Sequence, residues 1–379
     1  MSSLLLVLAL QSAAADPGIV VTNKLDPAYA ECVAGGCAPL RDAQVSIAWA
    51  EQRFRQGAYL EAKRGLQAAV ARNKGKAASD PKPVAALYEA TATVAIHEGD
   101  RALYRESVGD RVRTLRDNLP AGDPAVNAAK LALGDMWVKL GDTLAADGAF
   151  RQTQREAEAQ GDHATAISAA IRRAWLATNA NDKSRADAIL DEAAASTGAQ
   201  EASVQRAIGV ARLRLAARRG DNAVVERLVG EIAGGQGAEP ALYQSAAYPQ
   251  SASAVAADVN RRLGGLVEPV RVESSEVKGI KWADIGFWIR PDGRTEDIEV
   301  LRGSRAIAWA NEMVGQIGSR RYAGVPADAA GQGVYRIERY TLRASYRTPI
   351  GSLIARRAGP ERLEMAVLSS PGVRVIGTE

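Results

Sequence analysis

The chain has 379 residues, 47% hydrophobic and 24% charged, which is enough for two domains that each bury a core. Its net charge of +4 is too dilute to argue for nucleic-acid binding, and no stacking aromatics are interleaved with basic runs. The two histidines, His97 and His163, lie in different segments, and neither has the neighbours that a catalytic triad or a histidine-based metal site requires.

In chain order, the apolar run Leu4 to Leu10 is followed by small residues from Ser12 to Ala15 and then Asp16-Pro17. This reads as a secretory signal over 1–15, although only Met1-Ser2-Ser3 stands where a positive n-region belongs. The run is too short to span a bilayer. After cleavage the protein is expected to be exported to the periplasm and not to be an integral membrane protein. Residues 16–40 carry the only cysteines, Cys32 and Cys37, around Val-Ala-Gly-Gly. The two glycines let the backbone fold back, so a small disulfide loop is sterically reasonable and fits an oxidising compartment. Free thiols are the alternative in a reducing one.

Residues 41–235 are rich in alanine and helical in period. Turns recur at Gln56-Gly57-Ala58, Glu98-Gly99-Asp100, Leu140-Gly141-Asp142, Asn181-Asp182 and Arg219-Gly220-Asp221. The interval is 42 residues from Gly57 to Gly99 and again from Gly99 to Gly141. Such a period predicts stacked helical hairpins. Gly at the turn ends one helix in a left-handed conformation, and the following Asp caps the next. Leu133-Gly134, Trp137, Gly141, Ala146 and Phe150, with Arg55 to Ala62 in the first unit, resemble tetratricopeptide repeats. In the third unit, small Gly134 and Ala146 allow close helix crossing while Trp137 and Phe150 fill the space beside it. The resemblance implies a helical-hairpin solenoid with a concave partner surface. Trp49, Phe54, Tyr59, Trp137 and Trp175 lie on helical spacing and are expected to be packing residues.

Over 236–277 the periodicity fails and prolines punctuate the chain, so this segment reads as a linker. A strand pattern follows. Ala283, Ile285, Phe287 and Ile289 alternate with Trp282, Asp284, Gly286 and Trp288. Pro291-Asp292-Gly293 is turn chemistry, and Arg294 to Arg302 forms the second strand of a hairpin. Ser304 is expected to cap a helix carrying Ala306, Ala310, Met313 and Ile317 on one side. Arg320 to Tyr322 reads as a short strand, and Val334 to Tyr346 as a long one with a bulge between Ile337 and Tyr340. The tail, 350–379, either adds an edge strand or stays loose.

The strand ending Phe287-Trp-Ile289, the Pro291-Asp-Gly-Arg294 turn, Val300 with Ser304, the amphipathic helix, Arg321-Tyr322 with Pro326-Ala327 and the last strand resemble the TonB C-terminal domain family. This resemblance covers 278–349. It implies a ββαβ domain that docks short segments of outer-membrane transporters beside its terminal strand by strand addition. The fold expected for the whole chain is α+β, a tetratricopeptide-like solenoid followed by this small domain.

From Arg320 to Arg357 eight arginines face two acids, a local excess of +6 in a chain of +4. Arg336, Arg339, Arg343 and Arg347 are expected on an edge strand. There they either select an acidic peptide, glycan or lipid head group or guard the edge against aggregation. The acids Asp284, Asp292, Glu296, Asp297 and Glu299 read as solvated turn and sheet carboxylates, not as a catalytic set. The expectation is a non-enzymatic interaction scaffold without cofactor, metal or nucleic acid, whose partner is a protein or peptide of the cell envelope. TonB-type energy transduction is the alternative. It would need a membrane anchor and an extended Pro-rich linker, and neither is expected here.

Overall fold

The structure is a computed structural model that describes residues 25–232, 239–248, 280–304, 307–326, 331–347 and 356–368. The expected signal and most of the expected linker lie outside them. The chain divides into two compact units, one built on helices and one on a sheet.

The helical unit opens with α1 (Leu25–Val33), followed by α2 (Pro39–Arg55) and α3 (Tyr59–Asn73). Four more pairs come next: α4 (Pro81–Glu98) with α5 (Arg101–Asn118), α6 (Pro124–Leu140) with α7 (Thr143–Ala159), α8 (His163–Asn179) with α9 (Lys183–Ala195), and α10 (Ala202–Arg219) with α11 (Asn222–Ile232). All five turns fall where the sequence places them, with Gly57, Gly99, Gly141, Asn181 and Gly220 at positive φ. Asp100, Asp142, Asp182 and Asp221 accept the amides of Leu103, Ala145, Arg185 and Val224. The expected combination of left-handed turn residue and aspartate N-cap therefore shapes four of the five hairpins, while in the first Ala58 stands at the cap of α3 without a side-chain acceptor.

Packing follows the small residues. In α6 and α7, a Cβ on Gly134 would overlap the Phe150 ring. Ala146 and Phe150 are fully buried, beside partly buried Trp137 and Trp175. In the first pair, Ala62 is fully buried and Gly65 lies against the Trp49 indole. The helix α1, which the sequence reading did not expect, covers this end. Tyr29 stacks on Trp49 at 4.2 Å, and Asp26 accepts from Trp49 Nε1 at 2.8 Å and from Arg53 at 2.7 Å. The disulfide Cys32–Cys37 closes the link between α1 and α2.

Successive pairs are tied by arginines that the sequence pattern does not single out. In α8, Arg172 reaches back to Asp135 on α6 while its neighbour Arg173 reaches Asp147 on α7. In α10, Arg218 donates to Asn179 on α8 while Arg219 donates to Asp187 on α9. Two adjacent residues on one helix thus fasten both helices of the preceding pair, the nearest-neighbour coupling on which a repeat array depends.

The C-terminal unit contains β1 (Ala241–Gln244), β2 (Lys281–Ile289), β3 (Thr295–Gly303), α12 (Ala310–Gly318), β4 (Arg321–Ala323), β5 (Val334–Arg347) and β6 (Arg356–Val367). Four of these strands form an antiparallel sheet in the order β3-β2-β5-β6, and β1 pairs with β4. Ala283, Ile285, Phe287 and Ile289 present the expected apolar face to Ala310, Met313 and Ile317 of α12. The Pro291-Asp292-Gly293 turn closes the β2–β3 hairpin, with Gly293 at φ 81° and Asp292 accepting the Arg294 amide at 2.9 Å.

Four expectations are corrected. Ser304 caps no helix. Its amide donates to Trp282 O at 2.8 Å and its hydroxyl accepts from Trp282 N at 3.2 Å, which prolongs the hairpin, and the helix starts at Ala310. The segment expected to be linker from residue 236 includes a strand, because Ala241–Gln244 pairs with β4 and belongs to this unit. The β2–β5 ladder runs without irregularity from Lys281↔Leu342 to Ile289↔Val334. The broken alternation at 337–340 instead reflects buried polar side chains, and the bulge lies at Ala344/Tyr346 against β6. The tail supplies β6, so β5 is not an edge strand.

Candidate interaction edges of the C-terminal sheet

Opposed residues in an antiparallel pair share a face, and successive residues alternate. The register Phe287↔Arg336 therefore puts Arg336 on the face covered by α12, where its guanidinium lies 5.8 Å from the Tyr322 ring centre. Asp284↔Arg339 puts Arg339 on the opposite face, and Arg343 shares that face two steps further along β5. Of Arg347 the structure gives the backbone, paired with Arg356. The four arginines expected to line one edge are thus on an interior strand and divided between two faces. The physical reason is β6, which occupies the side of β5 that the sequence reading left open.

Two of the basic residues behind the +6 excess are internal. Arg339 is 0% exposed. It donates through Nε and, at 2.9 Å, through Nη2 to Asp284, and it lies 4.0 Å from the Trp282 ring centre. Asp284 also accepts from Arg302 on β3 at 2.8 Å. Under α12, Arg320 is buried with Glu338, which it meets at 2.9 Å. Its other donors reach Gln316 at 3.0 Å, Tyr340 at 2.6 Å and Tyr248 at 3.4 Å. Burial opposes the charge on Arg320, yet Glu338 together with Tyr340, Tyr322 and Tyr248 outweighs it and holds the guanidinium protonated. Burial, with Glu338 beside it, pushes the Tyr340 phenol well above its ordinary range. Such networks are satisfied internally and hold strands in register. They leave Asp284 and Glu338 as structural carboxylates. Sequence reasoning missed both networks. The only signal was polar residues breaking the alternation of β5, which equally fits a bulge.

The sheet has two outer strands among the described residues, β3 and β6. The first is blunted. Asp297 sits at φ 50° in a bulged stretch, Glu296, Asp297 and Glu299 are exposed, and the chain just before β3 is met by β4 through the Arg294↔Arg321 bridge. Charge, a bulge and a covering segment are the usual means by which an edge is kept from pairing. By contrast β6 pairs evenly with β5 from Glu361 to Val367. Its phase follows from one bond: Leu368 N donates to Ile337 O at 2.8 Å. Hydrogen-bonded pairs recur every second residue. The peptide groups of Arg362, Glu364 and Ala366 therefore face β5, and those of Glu361, Leu363, Met365 and Val367 face outward. Outward N–H and C=O groups on an outer strand are a template for another strand.

No protein-family model matches the chain, and a comparison with curated proteins gives no match. Among solved structures, a putative kinesin light chain from Podosopora anserina with nearly identical TPR-like repeats is 16% identical. Its match covers 51% of this chain and 93% of that one, with a TM-score of 0.41. BtubC (BKLC) from P. vanneervenii is 14% identical over 67% of this chain and 93% of that one, with a TM-score of 0.42. A Rap protein complexed with Competence and Sporulation Factor is 10% identical over 55% of this chain and 59% of that one, with a TM-score of 0.38. At these values none of them bears on function here. The helical repeat stands on the hairpin geometry described above.

Proposed function

We propose that this chain is a non-enzymatic interaction scaffold of the cell envelope, periplasmic after export. The helical hairpins provide one partner surface, and the TonB-C-like domain docks an extended segment by strand addition. The observation that carries this reading is the outward edge of β6, which among the described residues is the outer strand that pairs without a bulge over Glu361–Val367. Main-chain bonds at such an edge give affinity, and alternate side chains give selectivity. The disulfide Cys32–Cys37 supports an oxidising compartment. Among the described residues no helix is long and apolar enough to cross a membrane. We do not adopt the energy-transduction reading. The docking place that the resemblance implies, the side of β5, is paired with β6.

Crosslinking in cells, followed by capture from a periplasmic extract, tests the proposal. A defined envelope protein should be recovered, and the crosslinks should map to the helical array or to β6. Recovery of the chain with the cytosolic fraction and an N-terminus at Met1 would remove the export assignment. Crosslinks confined to neither surface would remove the docking assignment.

A further inference from the structure

The outward edge of β6 is complementary to itself. Its near side carries Leu363 and Met365, which extend the core beneath α12. On the far side stand exposed Arg362 and partly buried Glu364, two residues apart. Side chains directly opposite in an antiparallel pair interact strongly, and like charges there repel. In a two-fold pairing only residues of the same phase can face each other, so few registers are open. A two-fold axis at Arg362 would set arginine against arginine, and an axis at Glu364 would set carboxylate against carboxylate. An axis at Leu363 sets Arg362 opposite Glu364 of the other strand twice over, and Glu361 opposite Met365. It also makes Leu363 a hydrogen-bonded pair with itself, since its peptide groups face outward. One register satisfies charge and hydrogen-bond phase together, and a shift of one residue in either direction breaks the charge match.

A second feature points the same way. Across the β5–β6 ladder Arg362 stands directly opposite Arg343, a like-charge pair that a sheet ordinarily avoids. A carboxylate beyond β6, on the same face, relieves it. The axis at Leu363 supplies that carboxylate from Glu364 of the second copy.

We propose that β6 pairs antiparallel with β6 of a second copy about a two-fold axis at Leu363, joining two four-stranded sheets into one. The proposal rests on reading β6 as the docking edge, and it names the occupant as this chain's own strand. The interface is isologous and closed, so it yields a dimer and not a filament.

The test uses the full-length oxidised chain in sedimentation velocity, from about 1 to about 100 µM, the range of a modest strand-pairing affinity. The wild-type chain should dimerise. Arg362→Glu or Glu364→Arg alone places like charges opposite each other and should weaken the dimer tenfold or more. An equimolar mixture of the two variants regenerates both opposite-charge pairs and should form a heterodimer. The double variant Arg362→Glu/Glu364→Arg should dimerise like wild type, which a folding defect in a single variant could not produce. A wild-type chain that stays monomeric at about 100 µM overturns the proposal. So does a dimer indifferent to both single changes, because the contact then lies elsewhere. A monomer that still captures an envelope partner through β6 overturns self-pairing and leaves the interaction reading standing. A dimer that captures no partner does the reverse.

Discussion

Arg339 on β5 and Asp284 on β2 stand directly opposite each other in the sheet, both buried, joined by two hydrogen bonds beneath the Trp282 ring. Breaking a buried pair from one side leaves an uncompensated charge and costs about 3–5 kcal/mol. Arg339→Met should therefore lower stability strongly, toward the small end of that range because Arg302 still reaches Asp284. The paired change Arg339→Met/Asp284→Leu should recover most of the loss. Urea unfolding of the two variants checks this. If Arg339→Met unfolds with an unchanged midpoint, the ion pair contributes nothing. Any loss of partner binding in Arg339→Glu should accompany loss of fold.

How much was legible follows from these residues. The five hairpin turns were, because a left-handed turn needs Gly or Asn and, in four of the five, the next helix takes an aspartate acceptor at its cap, and both are local demands on residue type. The β2–β3 hairpin and the apolar face of β2 were legible for the same reason. The edge was not. Whether β5 lies outside or inside the sheet depends on the next strand along the chain, β6. The tail contains Gly359-Pro360 and one apolar run, Met365 to Leu368, a pattern that fits either an added edge strand or a loose end. The arginine row failed with it, since period-2 alternation divides 336 from 339 and 343 once β5 is regular. The role of residues 239–248 was also hidden, because four residues of strand carry too little pattern to be separated from a linker.

Close crossing of α6 and α7 gives a second expectation. Gly134→Ala introduces a methyl into the Phe150 ring, and overpacking of this kind costs about 1–3 kcal/mol. Phe150→Leu in the same chain should relieve part of that cost, so the two changes should be non-additive. Gly148→Ala in α7 has nothing within 4 Å of the new carbon. It should stabilise by about 0.5–1 kcal/mol through helix propensity alone. Thermal melts of the three variants decide it: equal effects of Gly134→Ala and Gly148→Ala would mean that the crossing is not tight.

Acid sensitivity of the helical unit should centre on buried carboxylates. Burial opposes ionisation of Asp42, but the hydrogen bonds from Arg72 at 2.7 Å, Asn73 at 2.6 Å and Ser46 at 2.9 Å outweigh it and hold its pKa below the ordinary carboxylate value. Asp162 is held low in the same way by Thr165 and Asn127, against its burial. A group with a depressed folded pKa binds fewer protons folded than unfolded, so stability rises with pH across the window between the two values. The contribution is full above about pH 4 and lost as pH falls through the folded pKa. Asp42→Asn should lower stability at pH 7 and flatten its fall between about pH 4 and pH 2. Denaturant titrations at several pH values measure both. A pH slope unchanged by Asp42→Asn would remove Asp42 from the acid response.

The segment before the expected domain start should matter to the sheet unit. Its strand β1 pairs with β4. Ala246 N donates to Ser319 Oγ at 2.8 Å, Gln316 donates to Ala246 O at 3.2 Å, and Tyr248 meets the buried Arg320 at 3.4 Å. A fragment beginning at residue 278, where the sequence places the domain, removes the β1 partner of β4 and exposes the Arg320 network from one side. Water that reaches Arg320 and Glu338 weakens the pairing that low dielectric sustains. A fragment of residues 239–379 should therefore unfold at higher denaturant than one of residues 278–379, with a steeper transition because more surface is buried. In the longer fragment, Tyr248→Ala should remove part of the difference, since burial and the Arg320 contact act through that ring. If the two fragments share one midpoint and one slope, residues 239–248 are a bystander and the linker begins where the sequence put it.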